Sequence, residues 1–265
     1  MKLSKISKEK IRELLENKTR LDGRGPLDLR EFSVELNVSS KAEGSARVKL
    51  GDTEVIAGIK MDLLEPFTDT PEEGVLMVAA ELSPLASDDF ESGPPGIEAI
   101  TLARIVDRSV RESGFVDFKK LCVKPGELVW GIFLDIYPTN DDGNLTDAAA
   151  LAAVYALLET KMPKLDGEKV DHDEHSDKKL PLNQIPITLT AHKVDGSFII
   201  DPTSEEEGAS KMKLAISVTY EEHPIIHGIL KSGEEPIEID NLIEMIQTLI
   251  TQGKKIHDKI LKSKK

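Results

Sequence analysis

The sequence predicts an α+β fold made of duplicated strand–helix units. Three observations carry this. A series of strand-like runs between residues 32 and 80 is followed by two helical stretches. The second of these, LTDAAALAAVYALLETKMP, is very rich in alanine. After a polar interval from Lys164 to Asn183, strands and then a helix come again.

The elements follow in order. Leu3, Ile6, Ile11, Leu14 and Leu15 recur at helical spacing and predict a short amphipathic helix, an N-terminal unit over 1–19. A turn-rich basic segment, TRLDGRGPLDLR, opens a first half over 20–165. Strands are expected at FSVELNV, SARVKLG and EVIAGIKMDLLEP, with Gly51-Asp52 as a hairpin turn. GVLMVAAELSP is a further strand, and DDFESGPPG, full of turn formers and acids, is a loop. IEAITLARIVDRSVRES then reads as a helix. KKLCV and LVWGIFLDIYP flank a turn at Pro125-Gly126, and the alanine-rich helix demands close packing on its flanks.

The mixed-charge interval reads as a long loop, a linker over 166–184. The second half, 185–265, holds strands ITLTAHKV, SFIID, KLAISVTY and IIHGILKS. A helix from about Ile237 follows, and its basic tail, KKIHDKILKSKK, is expected to fray.

Composition narrows the function classes. With 265 residues, 39 % hydrophobic and 31 % charged, the chain suits one large domain or two modest ones. A single cysteine, Cys122, excludes an internal disulfide and fits a reducing cytosol, so a cytoplasmic location is expected. The charged N-terminus is neither a signal peptide nor a membrane span, and no apolar run reaches about 18 residues. The net charge of −14 argues against a free-standing nucleic-acid binder. Any contact with RNA has to come from a local basic patch or through basic partners.

One such patch exists. Arg104, Arg108 and Arg111 fall on one stripe of their helix, and Leu102, Ile105, Val106 and Val110 fall on the opposite, core-facing side. Read blandly, the stripe is a solvated face on which Asp107 pairs with Arg111. The stretch IIDPTSEEEGASKMKLAISV sets Asp201, Glu205, Glu206 and Glu207 between two strands, as metal-dependent phosphoryl chemistry does, but Lys211 and Lys213 stand among them. EEEG taken alone is a solvated acidic turn. His172 and His175 in DHDEHSD can ligate a metal in principle, yet their spacing matches no closed site and the run reads as a solvated loop. His223 and His227 read as structural or exposed. Trp130 reads as core or subunit interface, and ESGPPG and DGRGP as turns.

The order of five segments resembles the RNase PH family. They are RLDGRGPLDLREF, GSARVKLGDTEVIAGI, IEAITLARIVDRSVRES, DGNLTDAAALAAVYAL and DGSFIIDPTSEEEG. Together they run from about Arg20 to the C-terminal helix. Within the family, LARIVDRSVRES, KPGELVWGIFLDIYPTNDDGNLTDA and the acidic turn look most like the non-catalytic subunits of archaeal exosomes. The resemblance implies an RNase PH-like fold with mixed sheets. It also implies a hexameric ring of three heterodimers, in which this chain alternates with a catalytic RNase PH-like subunit and meets RNA-binding cap proteins. Such rings thread single-stranded RNA and degrade it from the 3′ end with inorganic phosphate.

The same resemblance implies that this chain leaves the chemistry to its partner. The family's phosphate loop carries an arginine where this chain has Leu145, and Asp147 beside it is expected to repel phosphate at the helix end. The family's aspartates on the acidic turn register at Asp201, Glu207 and Lys213. A protonated lysine offers no lone pair to a divalent metal. No catalytic residue, metal site or cofactor is therefore expected here, with phosphate and Mg²⁺ at the catalytic partner. Arg104, Arg108 and Arg111 become candidates for sequence-independent RNA contacts. The competing expectation is an active phosphorolytic 3′-to-5′ exoribonuclease in which Glu207 acts with Asp201.

Overall fold

The computed structural model describes residues 4–167 and 169–263. The first sheet has six strands in the order β1-β2-β3-β6-β4, with β5 pairing β6. Its members are β1 (Phe32–Leu36), β2 (Gly44–Leu50), β3 (Thr53–Leu64), β4 (Val75–Ala80), β5 (Cys122–Lys124) and β6 (Leu128–Asn140). All pairings are antiparallel except β4 with β6, so the sheet is mixed. Gly51 takes φ +58 in the tight turn between β2 and β3, as its place beside Asp52 requires. β3 buries Val55, Ala57, Ile59 and Met61 at every second position, which turns one face of the sheet into a platform.

On that platform lie α2 (Ile97–Glu112) and α3 (Leu145–Glu159). α3 is buried on every side because β2 and β3 cover one flank and β9 of the second sheet the other. Alanine is the residue that lets two sheets approach one helix so closely. Gly44 of β2 shows how close, since a Cβ there would collide with the Ala156 carbonyl and Thr160. α2 packs beside α3 against β4 and β12, burying Leu102, Val106 and Val110 as expected, whereas Ile105 is half-buried at the rim of a cleft.

The second sheet is antiparallel, in the order β10-β9-β11-β12. It comprises β9 (Ile187–Val194), β10 (Ser197–Ile200), β11 (Met212–Tyr220) and β12 (Pro224–Gly233). Its inner face meets α2 through a chain of buried hydroxyls, Thr188 to Ser109 at 3.0 Å and Ser109 to Ser217 at 2.8 Å. α5 (Ile239–Ser263) covers the outer face, where the Tyr220 hydroxyl donates to the Ile250 carbonyl at 2.8 Å and passes over Gly253.

Three expectations need correction. The polar interval is not a loop but a ribbon, β7 (Lys161–Asp166) paired antiparallel with β8 (Lys169–Lys179). A two-stranded ribbon lying off both sheets needs no apolar alternation, so its composition looks like a linker. The His172 and His175 side chains lie outside the described residues. The basic tail does not fray through Ser263, because Ile256, His257 and Ile260 are buried. Lys259 also sits 3.8 Å over the Phe32 ring, which ties the last helix back to β1. The acidic turn is a short helix, α4 (Ser204–Ala209), started by Glu206 accepting from the Thr203 amide at 3.0 Å. The amphipathic helix is present as α1 (Lys5–Glu16), which buries Ile11 and Leu15 on Val194, Ile199 and Ala209. Trp130 is core.

Candidate functional site

Two loops meet at the N-terminus of α3, one leading into it and one joining β10 to α4. Gly143 makes the meeting possible. At φ +82, its α-carbon lies so near Pro202, Thr203 and Ser204 that a Cβ would come within 2.5–2.7 Å of their backbone. Asn144 and Asp201 also take left-handed backbone conformations, φ 57 and 49, where short polar side chains are tolerated.

Asp201 is wholly buried at this junction and fully occupied. Its carboxylate accepts from the Arg30 amide at 2.6 Å, from the Arg30 guanidinium at 2.7 and 3.1 Å, from Arg24 at 3.0 Å and from Asn144 at 2.9 Å. Burial opposes its ionisation, but Arg30 more than offsets this and holds the carboxyl below the ordinary range. Arg30 also donates to the carbonyls of Asp142 and Gly143, at 3.0 and 3.1 Å, and so staples the α3 loop. Next to it Arg20, itself buried, grips Glu206 with both arms of its fork and donates to the carbonyls of Ile200 and Asp201.

The remaining site residues close on one another. Glu207 accepts from the Asn144 amide at 2.9 Å and lies 3.8 Å from the Lys213 ammonium, which reaches Thr146 at 3.2 Å. Leu145, half-buried, opens α3 on the wall of a cleft of about 470 Å³ that Glu207, Thr146 and Lys213 also line. Asp147 does not point into this cleft, so it is not the source of repulsion that its position implied. It is buried between α3 and β9, accepting from the Thr190 hydroxyl at 2.7 Å, the Thr190 amide at 3.2 Å and Asn144 at 3.0 Å. Burial pushes its carboxyl up to about 7. His192, opposite Lys213 in the β9–β11 pairing, is buried with neither ring nitrogen hydrogen-bonded, and burial pushes it down to about 4.

This donor set does not suit phosphorolysis. The Asp201 oxygens are taken by guanidinium groups, Lys213 neutralises Glu207, and no arginine stands at position 145 to grip phosphate. A divalent cation would have to displace Arg24 and Arg30 from Asp201 and sit against the Lys213 ammonium. Of the residues that organise the site, Asp147 was singled out from the sequence, in another role, whereas Arg20, Arg24, Arg30, Asn144 and His192 were not. The arginines left one signal, three within eleven residues of a strongly acidic chain.

The arginine stripe divides. Arg111 donates to Asp107 at 2.7 Å and to the Leu76 carbonyl at 3.1 Å, and it stacks 5.7 Å from the Phe118 ring centroid. Arg108 has only Glu112, at 3.9 Å, and Arg104 makes no ion pair among the described residues. Both are exposed at the mouth of a cleft of about 370 Å³ between α2 and β12, whose floor holds Ser109, Thr188 and Ser217. His227 is bonded to the Thr219 hydroxyl at 2.8 Å.

Comparison with known proteins agrees with this architecture. Residues 28–163 match domain 1 of the 3′ exoribonuclease family (RNase PH), and residues 184–248 match domain 2. The chain is 43 % identical to Exosome complex component Rrp42 of Methanocella arvoryzae over 258 residues, covering 97 % of this chain and 96 % of that one. It is 41 % identical to the protein of the same name from Thermococcus onnurineus, covering 98 % and 96 %. Among solved structures it resembles a chain of the Archaeoglobus fulgidus exosome with RNA bound to the active site. The TM-score is 0.90 and the identity 40 %, covering 96 % of this chain and 98 % of that one. It also resembles a chain of an archaeal exosome core, with a TM-score of 0.84, 38 % identity and 96 % of each chain covered. The chain therefore belongs to the RNase PH family of 3′ exoribonucleases.

Proposed function

We propose that this chain is a ring subunit of an archaeal-type exosome, a phosphate-dependent 3′-to-5′ exoribonuclease complex, and carries no catalytic centre of its own. The observation that supports this best is the occupancy of its acidic site. Asp201 is held by Arg24, Arg30 and Asn144, Glu207 faces Lys213, and Leu145 opens the helix at the place of a phosphate-gripping side chain. Phosphorolysis needs phosphate held in line and the developing charge neutralised, and here Asp201 and Glu207 already face cationic neighbours.

In this reading a catalytic subunit of the same family alternates with this one around a hexamer, holds phosphate and Mg²⁺, and releases nucleoside diphosphates. This chain shapes the neighbour's active site and presents Arg104 and Arg108 to the RNA backbone. Cap proteins deliver RNA to the ring, and the complex works in the cytoplasm. The relatives named as exosome components, similar along nearly their whole length, support membership. The experiment is to incubate the purified chain with 3′-oligoadenylated RNA, Mg²⁺ and phosphate, alone and then with the catalytic subunit. Diphosphate release is expected only from the mixture, and release by the chain alone overturns the reading.

A further inference from the structure

Behind Arg104 and Arg108 lies a cleft that contact with an RNA backbone alone does not require. It holds about 370 Å³ between α2 and β12, inside the range of small-ligand sites, and suits one nucleotide rather than a run of them. Gly228 keeps it open. The register sets Gly228 beside Ser217, and a Cβ at Gly228 would meet nothing within 4 Å. The missing side chain therefore leaves Ser217 uncovered on the cleft floor.

The lining changes from mouth to floor. Two arginines stand at the mouth, and no aspartate or glutamate is among the lining residues, although the chain as a whole carries a net charge of −14. Such a mouth attracts phosphate. Ile105, half-buried, and Leu230, exposed, give the cleft apolar walls. The floor is the hydroxyl chain of Thr188, Ser109 and Ser217, all buried. Each hydroxyl has one proton to donate. Three hydroxyls share two hydrogen bonds, so one proton, on Ser109 or Ser217, has no acceptor among the described residues. A buried donor left over at the bottom of a cleft is satisfied when a ligand brings an acceptor.

We infer that this cleft is a pocket for a single nucleotide. Arg104 and Arg108 hold its phosphate at the mouth, Ile105 and Leu230 flank the base, and an edge oxygen or nitrogen of the base accepts the spare hydroxyl proton. The inference deepens the ring reading and rests on it for the source of the ligand. A residue of the RNA strand and a released nucleoside diphosphate share this chemistry, and both are at hand in such a complex.

The test compares wild type with Gly228→Val in two arms. One titrates the purified chain with ADP, and the other measures oligoadenylate binding by the ring reconstituted with the catalytic subunit, at several salt concentrations. Valine suits a strand, fills the cleft and leaves both arginines in place. If the occupant is a free diphosphate, wild type binds ADP with a Kd on the order of 1 mM or tighter, and the variant binds at least about tenfold more weakly. If it is a residue of the strand, the variant ring binds RNA about three- to tenfold more weakly with its salt slope kept, because the phosphate contacts remain. Wild-type behaviour of the variant in both arms overturns the pocket and leaves the ring reading intact. A wild-type chain that does not assemble with the catalytic subunit overturns the ring reading and leaves the ADP arm to decide the pocket. Photoreactive azidoadenine, carried by ADP or by the oligoadenylate, gives a measurement independent of how the variant folds. Labelling within residues 101–109 or 228–230 is expected, and a chain labelled in neither segment overturns the proposal.

Discussion

Arg20, Arg24 and Arg30 lie between α1 and β1, and their guanidinium groups are drawn into the fold by buried acids on the β10–α4 turn. Arg104 and Arg108, on α2, stand at the surface with one distant glutamate between them. The same side chain does opposite work in the two places. In the first, each charge is cancelled at short range and the product is rigidity, because removing either partner strands a buried ion. In the second, the charges remain available to a polyanion. The contrast shows how an acidic turn that resembles a metal site can have its carboxylates engaged from within the chain, and how a chain of net charge −14 can still offer a cationic face.

The contrast breaks most visibly at Arg20. Arg20→Met leaves Glu206 buried without its counter-ion and is expected to cost about 3–5 kcal/mol in urea unfolding. A loss below about 1 kcal/mol would mean that the cluster is not closed as described. At the other pole, Arg104→Ala with Arg108→Ala in the reconstituted ring is expected to weaken RNA binding roughly tenfold and lower the salt slope by about 1–2, with unfolding unchanged. Unaltered affinity and slope would separate the arginine face from RNA.

The buried acid and the buried imidazole of the closed region oppose each other in pH. Asp147, raised by burial to about 7, contributes stability that is present below its unfolded value of 3.8 and is lost as pH rises through about 7. His192, depressed by burial to about 4, contributes stability that is present above its unfolded value of 6.5 and is lost as pH falls through about 4. Between about pH 4 and 6.5 the two slopes offset. D147N is therefore expected to steepen the loss of stability on acidification and H192Q to flatten it, each by on the order of 1 kcal/mol across that window. Parallel curves for wild type and both variants would refute the assignment. The smallest effect is at Arg111. Arg111→Ala is expected to lower stability by about 0.5–1 kcal/mol through loss of the Leu76 carbonyl and Phe118 contacts. RNA affinity should stay within about twofold of wild type, because this arginine belongs with the committed set.

Much of the fold was legible because burial leaves a period in the chain. The apolar side of α2 was readable at Leu102, Val106 and Val110, and the alanines of α3 announced a helix pressed from both sides. The β7–β8 ribbon was not legible, since it pairs with neither sheet and carries no apolar alternation. The end of α5 was missed for a different reason. Its lysines dominate the composition, while its two buried isoleucines, Ile256 and Ile260, fix the helix.

At the site, the sequence by itself determined which side-chain chemistry stands at positions 145 and 213. Leu145 cannot grip phosphate in any conformation, and a protonated Lys213 cannot ligate a metal, because the required charge or lone pair is not in the side chain. Only the tertiary structure decided where the remaining charges go. Arg20 reaches Glu206 across 186 residues and Arg30 reaches Asp201 across 171, and Asp147 turns inward to Thr190 rather than outward to a ligand. Side-chain chemistry is a property of one residue and is written in its letter. Charge pairing falls off with distance and depends on burial, so it exists only once the chain has closed those distances.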